Sequence, residues 1–376
     1  MSKVTNSIFL VSGTAVGSGL ISLPISAAKI GLKWTVVITM IAFCVAYKMS
    51  CLTISLMKHQ GRALSIVELS KEISGKYTKL ISMTSLYALS LALLCAYFAG
   101  TTSIFARFFG LSSTLSTLIC IVVFSVLLTI RSSIFNKINS SLVFILFGLI
   151  AIAVYAMPTD KVDFTNSLTP TDFTAIMAFL PITFTSFGVQ NVCPYVAQNM
   201  GLDDLKAIKK VFFIGTLIPA IIYLLWICAT LSRIYIFDHE LYGKILTDTV
   251  DVGDFVKSLC NSVQLKYEAV ILQLLSLFAI MTSATGTGIG LISSLKEIAA
   301  FRSKLSIAAI VIGIPTMMTL LIPDAFIRIL SFGGMIATTF VVFVPVFLQT
   351  KIGKIGIASI ACFIFGVFVV LAELFM

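Results

Sequence analysis

Apolar stretches of about twenty residues recur along almost the whole of the 376-residue chain, separated by short polar breaks. An α-helix crossing a hydrocarbon layer ~30 Å thick needs about 20 mostly apolar residues, so each stretch can span a bilayer. The pattern predicts spans at 7–30, 34–57, 79–107, 113–131, 138–157, 173–199, 208–231, 266–294, 305–322, 325–348 and 355–375. These eleven segments leave no stretch for a soluble domain. Residues 1–376 therefore read as one transmembrane domain, an all-α polytopic membrane protein.

Composition agrees with that pattern. Hydrophobic residues make up 59% of the chain and charged residues 11%, with a mean hydropathy of +1.08, whereas a soluble domain carries about 25% charged residues. The opening run is interrupted by glycines and closed by Pro24, unlike the short unbroken core of a secretory signal, so it is expected to be a mature span. Between spans, 58–78 is the one segment with helical texture. Leu64, Val67 and Ile73 alternate there with charges, which predicts an amphipathic helix on a membrane face. The stretch 232–265 reads as a long loop.

The formal net charge of +10 is scattered singly and in pairs between apolar runs, which excludes a nucleic-acid face and leaves a topology signal. Lys3, Lys58, Arg62, Lys71, Lys76, Arg131, Lys137, Lys206, Lys296, Arg302, Lys304, Lys351 and Lys354 all fall on one side, and acidic residues such as Asp160, Asp238, Asp251 and Asp254 collect on the other. The positive-inside rule then places the amino terminus in the cytoplasm and the carboxyl terminus outside. The eight cysteines lie almost all within apolar runs, without a CxxC pair, and read as packing residues. His59 and His239 are far apart in polar breaks, there are no paired acids or metal motifs, and no nucleotide-binding loop occurs, so enzymatic and ATP-driven functions are not expected. No filter-like ring motif of a channel is present either. No cofactor and no obligate protein partner is expected. The expected partners are a small solute and lipid.

Two spans are interrupted in the same way. The first reads SIFLVSGTAVGSGLISLPISAA, with Gly13, Gly17 and Gly19 near its middle and Pro24 after them. The sixth reads FLPITFTSFGVQNVCPYVAQNM, with Gly188 among Thr185, Ser186, Gln190 and Asn191 and followed by Pro194. Backbone that leaves the helix inside a bilayer exposes N–H and C=O groups that cost several kcal/mol each unless protein, water or ligand satisfies them. Half-helix N-termini suit a carboxylate, and freed carbonyls suit an ammonium group or a sodium ion. Broken spans in corresponding halves of a chain point to a transporter site, while the competing reading of each break is close helix packing.

At these residues the chain resembles the bacterial aromatic amino acid permeases, the tryptophan and tyrosine permease group of the amino acid/polyamine/organocation superfamily. SGTAVGSGLISLP is similar to that group's first-span signature, GT-x-[IV]-G-[AS]-G followed by a proline. LPITFTSFGVQNVCP resembles its sixth span and MTSATGTGIGLISSLKE its eighth. The resemblance implies a LeuT-type five-plus-five inverted repeat with discontinuous helices 1 and 6, the repeats covering about 7–157 and 173–348 and 355–375 being an additional helix. It also implies a bacterial inner-membrane symporter that imports an aromatic amino acid, usually with protons. Carried over, Thr14, Ala15, Val16, Gly17, Ser18 and Gly19 frame the carboxylate and amine. Thr185, Ser186, Phe187, Gly188, Gln190 and Asn191 line the other side, Phe187 or Asn191 near the side-chain pocket. Where the family often has a histidine or small residues after the glycine, this chain has Val189, Gln190 and Asn191.

Ionisable residues within spans are few. Lys48 is the main candidate for coupling, and a long side chain near a span end also reaches to the interface. Sodium coupling would instead use hydroxyls of Thr282 and Ser283 with first-span carbonyls near Gly13 and Val16, although such hydroxyls commonly bond their own helix. Tyr97, in the third span, is the tyrosine placed to close the site. The alternative within transport is a sodium-coupled neutral amino acid carrier.

Overall fold

The computed structural model describes residues 3–17, 19–129, 145–155, 173–247, 250–262, 266–296, 303–322, 326–353 and 355–375. Every regular element among them is helical. The chain opens with α1 (Lys3–Ala15) and α2 (Gly19–Ala27), continues through α3 (Gly31–Gln60), α4 (Ile66–Ser74), α5 (Lys76–Phe109) and α6 (Ser113–Thr129), and reaches α7 (Ile145–Tyr155). The second half comprises α8 (Phe173–Ser186), α9 (Cys193–Met200), α10 (Leu205–Phe237), α11 (His239–Leu246), α12 (Val252–Asn261) and α13 (Lys266–Lys296). It closes with α14 (Lys304–Ala308), α15 (Ile314–Leu321), α16 (Phe326–Thr338), α17 (Val344–Lys351) and α18 (Ile357–Leu374).

Among the described residues, seven helical runs are long and apolar enough to cross a membrane, with α8 and α9 counted as one run and α16 and α17 as another, and α1 and α2 pass together as a pair bent by 51°. Three shorter apolar helices, Ser113–Leu128, Ile145–Tyr155 and Leu305–Leu321, fall on other expected spans. The start of the expected span 138–157, the ends of some others and several of the topology residues, among them Arg131, Lys137, Asp160, Arg302 and Lys354, lie outside the described residues.

The outside of the bundle is apolar and its inside carries hydroxyls. Leu115, Leu118, Val122 and Val126 form an exposed stripe on α6, and Ile360, Phe363, Ile364, Val367 and Phe368 another on α18, surfaces suited to lipid. Buried Thr35, Ser50, Thr101, Thr183, Thr216 and Thr230 donate to the carbonyl four residues earlier. This back-bonding satisfies them without water and leaves their small side chains to pack between helices.

Prolines inside the helices remove donors, and neighbouring helices supply replacements. Pro219 leaves the Gly215 carbonyl without its partner four residues on, and the Ser12 hydroxyl of α1 donates to it at 3.0 Å. Gly215 itself must lack a side chain, since a Cβ there would stand 2.7 Å from Val11. Pro315 and Pro345 each follow a π-helical turn, Ala309–Gly313 and Thr339–Phe343, and sit in the first positions of the next helix, where an N–H is dispensable.

Two polar breaks differ from the sequence expectation. Segment 58–78 does hold a helix, α4, started by a capping box between Ser65 and Glu68, but its buried face is Ile66, Leu69 and Ser70 packed on α5 and α17, with Val67 and Ile73 at the rim. The described residues of stretch 232–265 are mostly helical, where a loop was expected. Here α10 continues to Phe237, and α11 and α12 follow with apolar faces at helical spacing, Leu241 and Ile245, then Val252, Phe255, Val256 and Leu259. Asp238 caps α11 through Leu241 N–H and accepts from Ser258 of α12 at 2.6 Å, while Arg233 donates to the Ser262 carbonyl.

Candidate functional site

Both expected breaks are present. Helix α1 stops at Ala15, and its direction changes before α2 begins at Gly19; α8 stops at Ser186 and resumes through the 3-10 turn Gln190–Val192 into α9. Within the second break the chain turns tightly, with Gly188 N–H bonding Thr185 O at 3.1 Å and Val189 N–H bonding Phe187 O at 2.7 Å.

One side chain joins them. Tyr223 of α10, fully buried, has its hydroxyl 2.6 Å from the Ala15 carbonyl and 3.0 Å from the Ser186 carbonyl, the last residues of the two half-helices. A phenol carries one proton, so it serves the two carbonyls in alternation or as a shared donor. Phe187 packs its ring on Tyr223 edge to face, at 5.6 Å and 89°. Tyr97 of α5 is buried in the same apolar cluster as Tyr223, Phe187 and Val16.

One turn further along α10, Trp226 donates its indole N–H to the Leu20 carbonyl. That carbonyl has lost its helical donor because the residue four positions later is Pro24. Trp226→Phe is expected to lower stability by about 2 kcal/mol, through this orphaned carbonyl and through the cavity left where the buried indole stood. Replacing the chain's other tryptophan, the exposed Trp34, with Phe serves as the near-neutral control, both read by thermal melting in detergent.

The glycines of the first break admit close contact. A Cβ on Gly17 would stand 2.0 Å from Ser283 Oγ of α13, and one on Gly19 would stand 2.6–2.7 Å from the Tyr223 ring and hydroxyl. By contrast, a Cβ on Gly188 would meet only Thr185 O, at 3.2 Å, and Gly188 and Asn191 are exposed while their neighbours Phe187, Val189 and Gln190 are buried. The second break therefore has an open side.

The structure thus brings together Ala15, Val16, Gly17, Gly19, Tyr97, Ser186, Phe187 and Ser283, with Gly188 and Asn191 on the open edge. Ser18 lies outside the described residues. Gly13 is half-buried in the last turn of α1, and Thr14 is exposed with its hydroxyl turned back to Leu10 O at 2.7 Å. Thr185 donates to Pro181 O at 2.8 Å and Thr282 to Phe278 O at 2.7 Å, so both hydroxyls serve their own helices.

Gln190 faces away from the first break. Its amide nitrogen donates to Thr53 Oγ1 and Met49 O, and its oxygen accepts from Ser50, all on α3, so it anchors the second break to that helix. Lys48 is exposed on the outer surface of α3, its ammonium 5.7 Å from the Tyr47 ring, and does not reach either break. The side chains set against the breaks carry no charge. Recognition of a charged solute there falls to the backbone. The N–H groups of Gly19, Gln190 and Asn191 have no backbone acceptor among the described residues, which leaves donors at the start of both second half-helices.

Tyr223 and Trp226, which bond the carbonyls at the breaks, are not among the residues expected from the sequence. Polar-tipped aromatics three residues apart, four and seven residues after Pro219, were the available signal.

The sequence pattern of the tryptophan/tyrosine permease family matches residues 1–366. The chain is 26% identical to the tyrosine-specific transport system 1 of Haemophilus influenzae over 360 residues, 93% of this chain and 88% of that protein. It is 27% identical to the tryptophan-specific transport protein of Pseudomonas aeruginosa, covering 89% of this chain and 83% of the other. It is also 23% identical to glutamine transporter 2 of Aliivibrio fischeri, covering 94% and 90%.

Proposed function

Because the chain belongs to the tryptophan/tyrosine permease family, a family of transporters and not of enzymes, we propose that it imports an aromatic amino acid, tyrosine or tryptophan, by proton symport. The amino acid is held between the two helix breaks. The observation that carries this reading is the Tyr223 hydroxyl on the carbonyls of both Ala15 and Ser186, because it makes two interruptions about 170 residues apart in sequence into one place. The substrate carboxylate takes the N–H groups of Gly19, Gln190 and Asn191, where the positive ends of two half-helices add to the attraction. Its side chain lies along the open edge at Gly188 and Asn191, with Phe187 and Tyr223 forming the wall behind. Tyr223 is a positioning residue that keeps the half-helices in register.

On this reading, 7–157 and 173–348 are inverted five-helix repeats within eleven spans, supported by breaks in the first and sixth segments. The protein sits in a bacterial inner membrane with its amino terminus in the cytoplasm, supported by the excess of lysine and arginine on that side over the other.

A second reading, sodium-coupled uptake of a neutral amino acid, has two observations in its favour. Ser283 stands against Gly17 at the first break, where a hydroxyl and freed carbonyls suit a sodium ion, and one relative is named a glutamine transporter. Uptake by proteoliposomes under imposed gradients separates the two. Tyrosine or tryptophan uptake driven by a proton gradient, abolished by a protonophore and indifferent to sodium, is the expected result. Sodium-driven glutamine uptake that ignores the protonophore would establish the second reading instead.

A further inference from the structure

A cavity of about 280 Å³ lies at the end of the bundle where α11 and α12 pack, away from the breaks. Its deep wall is Thr102 and Ser103 of α5 and Thr319 of α15, all buried, and its mouth is formed by Arg107, Leu111 and Ser113. Asp251, just before α12, closes one side with its side chain only 10% exposed. The volume falls just below the roughly 300–1,000 Å³ of drug-sized ligand sites, which suits a molecule the size of an amino acid.

Its charges are arranged for a zwitterion. Arg107 Nε stands 3.5 Å from Asp251 and Nη2 stands 3.0 Å from Asp254, which leaves Nη1 without an acceptor among the described residues. Asp251 receives the Ser103 hydroxyl on one oxygen and faces Arg107 with the other, and a carboxylate of four lone-pair sites has capacity left. The contacts that hold this geometry are rigid: Gly253 N–H donates to Ser103 Oγ at 2.7 Å, and a Cβ on Gly253 would stand 2.4 Å from the Ser103 carbonyl. Polar groups continue along α6 and α15 beyond the cavity lining. Ser116, one turn from Ser113 on α6, is fully buried with no hydrogen-bond partner for its hydroxyl among the described residues, and the hydroxyl of Thr316, one turn from Thr319, is buried in the same state.

We infer that this cavity is a second amino-acid site, with the carboxylate of a free amino acid on Arg107 and its ammonium group on Asp251. Ala99, Ala106 and Leu111 give it an apolar side for the side chain. Tyr97, at the breaks, and Ser103, in this cavity, are six residues apart on α5, so the two sites are separated by about 9 Å along that helix. In the proposed orientation the cavity is on the outer face and receives the amino acid before it reaches the breaks. The inference rests on amino-acid transport being the chain's function.

Equilibrium binding of radiolabelled L-tyrosine to the purified full chain in nanodiscs tests it. Two molecules per wild-type chain are expected. Arg107→Gln, Asp251→Asn and Ala106→Phe should each leave one, Ala106→Phe by filling the cavity without touching the ion pair, and Gly19→Ala should leave the outer one. One molecule per wild-type chain, or two that survive the three outer substitutions, would overturn the second site while leaving the transport reading intact. No binding at all to wild type would overturn both.

Discussion

Tyr223→Phe is expected to reduce uptake at least about tenfold while lowering stability by only about 1–2 kcal/mol. The ring stays, so packing against Phe187 and Gly19 is conserved, and only the hydroxyl shared by Ala15 O and Ser186 O is lost. A buried unsatisfied carbonyl costs roughly 1–3 kcal/mol, but hydrogen bonds measured within membrane proteins average nearer 0.6 kcal/mol, which sets the modest stability effect. Transport suffers more because the half-helices lose the group that holds their ends together, and a small misplacement at a site is costly. Thermal melting and proteoliposome uptake of the same preparation read the two effects. Uptake that follows stability, with a small loss in both, would reduce Tyr223 to a packing residue.

Gly19→Ala and Gly188→Val should fail for different reasons. At Gly19 a single methyl meets the Tyr223 ring and hydroxyl at 2.6–2.7 Å. That ring has nowhere to go, fixed by Phe187 on one side and two carbonyls at its tip. Overpacking of this kind costs about 1–3 kcal/mol, against which the helix preference of Ala over Gly returns at most about 1 kcal/mol. Both melting temperature and uptake should fall. At Gly188, which is exposed, a Cβ would crowd only the Thr185 carbonyl, at 3.2 Å, so valine is expected to lower stability by no more than about 1 kcal/mol, while its side chain occupies the substrate's place and uptake is lost. Gly188→Val with normal uptake would remove the open edge from the site.

The two breaks were legible because Gly13, Gly17, Gly19 and Gly188, each group followed by a proline, leave a mark in one dimension. What holds them together was not. Tyr223 and Trp226 sit on an uninterrupted helix, and their roles depend on carbonyls of Ala15 and Leu20 some two hundred residues earlier, contacts with no local signature. Gln190 shows the converse difficulty. It is conspicuous as a polar residue in mid-span, yet a break abolishes the helical period that would say which way it points, and it turned to α3. Thr282 and Ser283 are adjacent and chemically alike, and only the geometry separates the one that bonds its own helix from the one pressed on Gly17. In 232–265 the signal was present: Val252, Phe255, Val256 and Leu259 have helical spacing, hidden by the charges between them.

The claim that one amino acid lies between the two breaks is tested most directly by a crystal structure of the chain saturated with 3-iodo-L-tyrosine, with the iodine located by its anomalous scattering. A peak beside Gly188 and Asn191, with the carboxylate on the N–H groups of Gly19, Gln190 and Asn191, is the predicted result. Iodine found elsewhere on the chain, with none between α2 and α9, would contradict it.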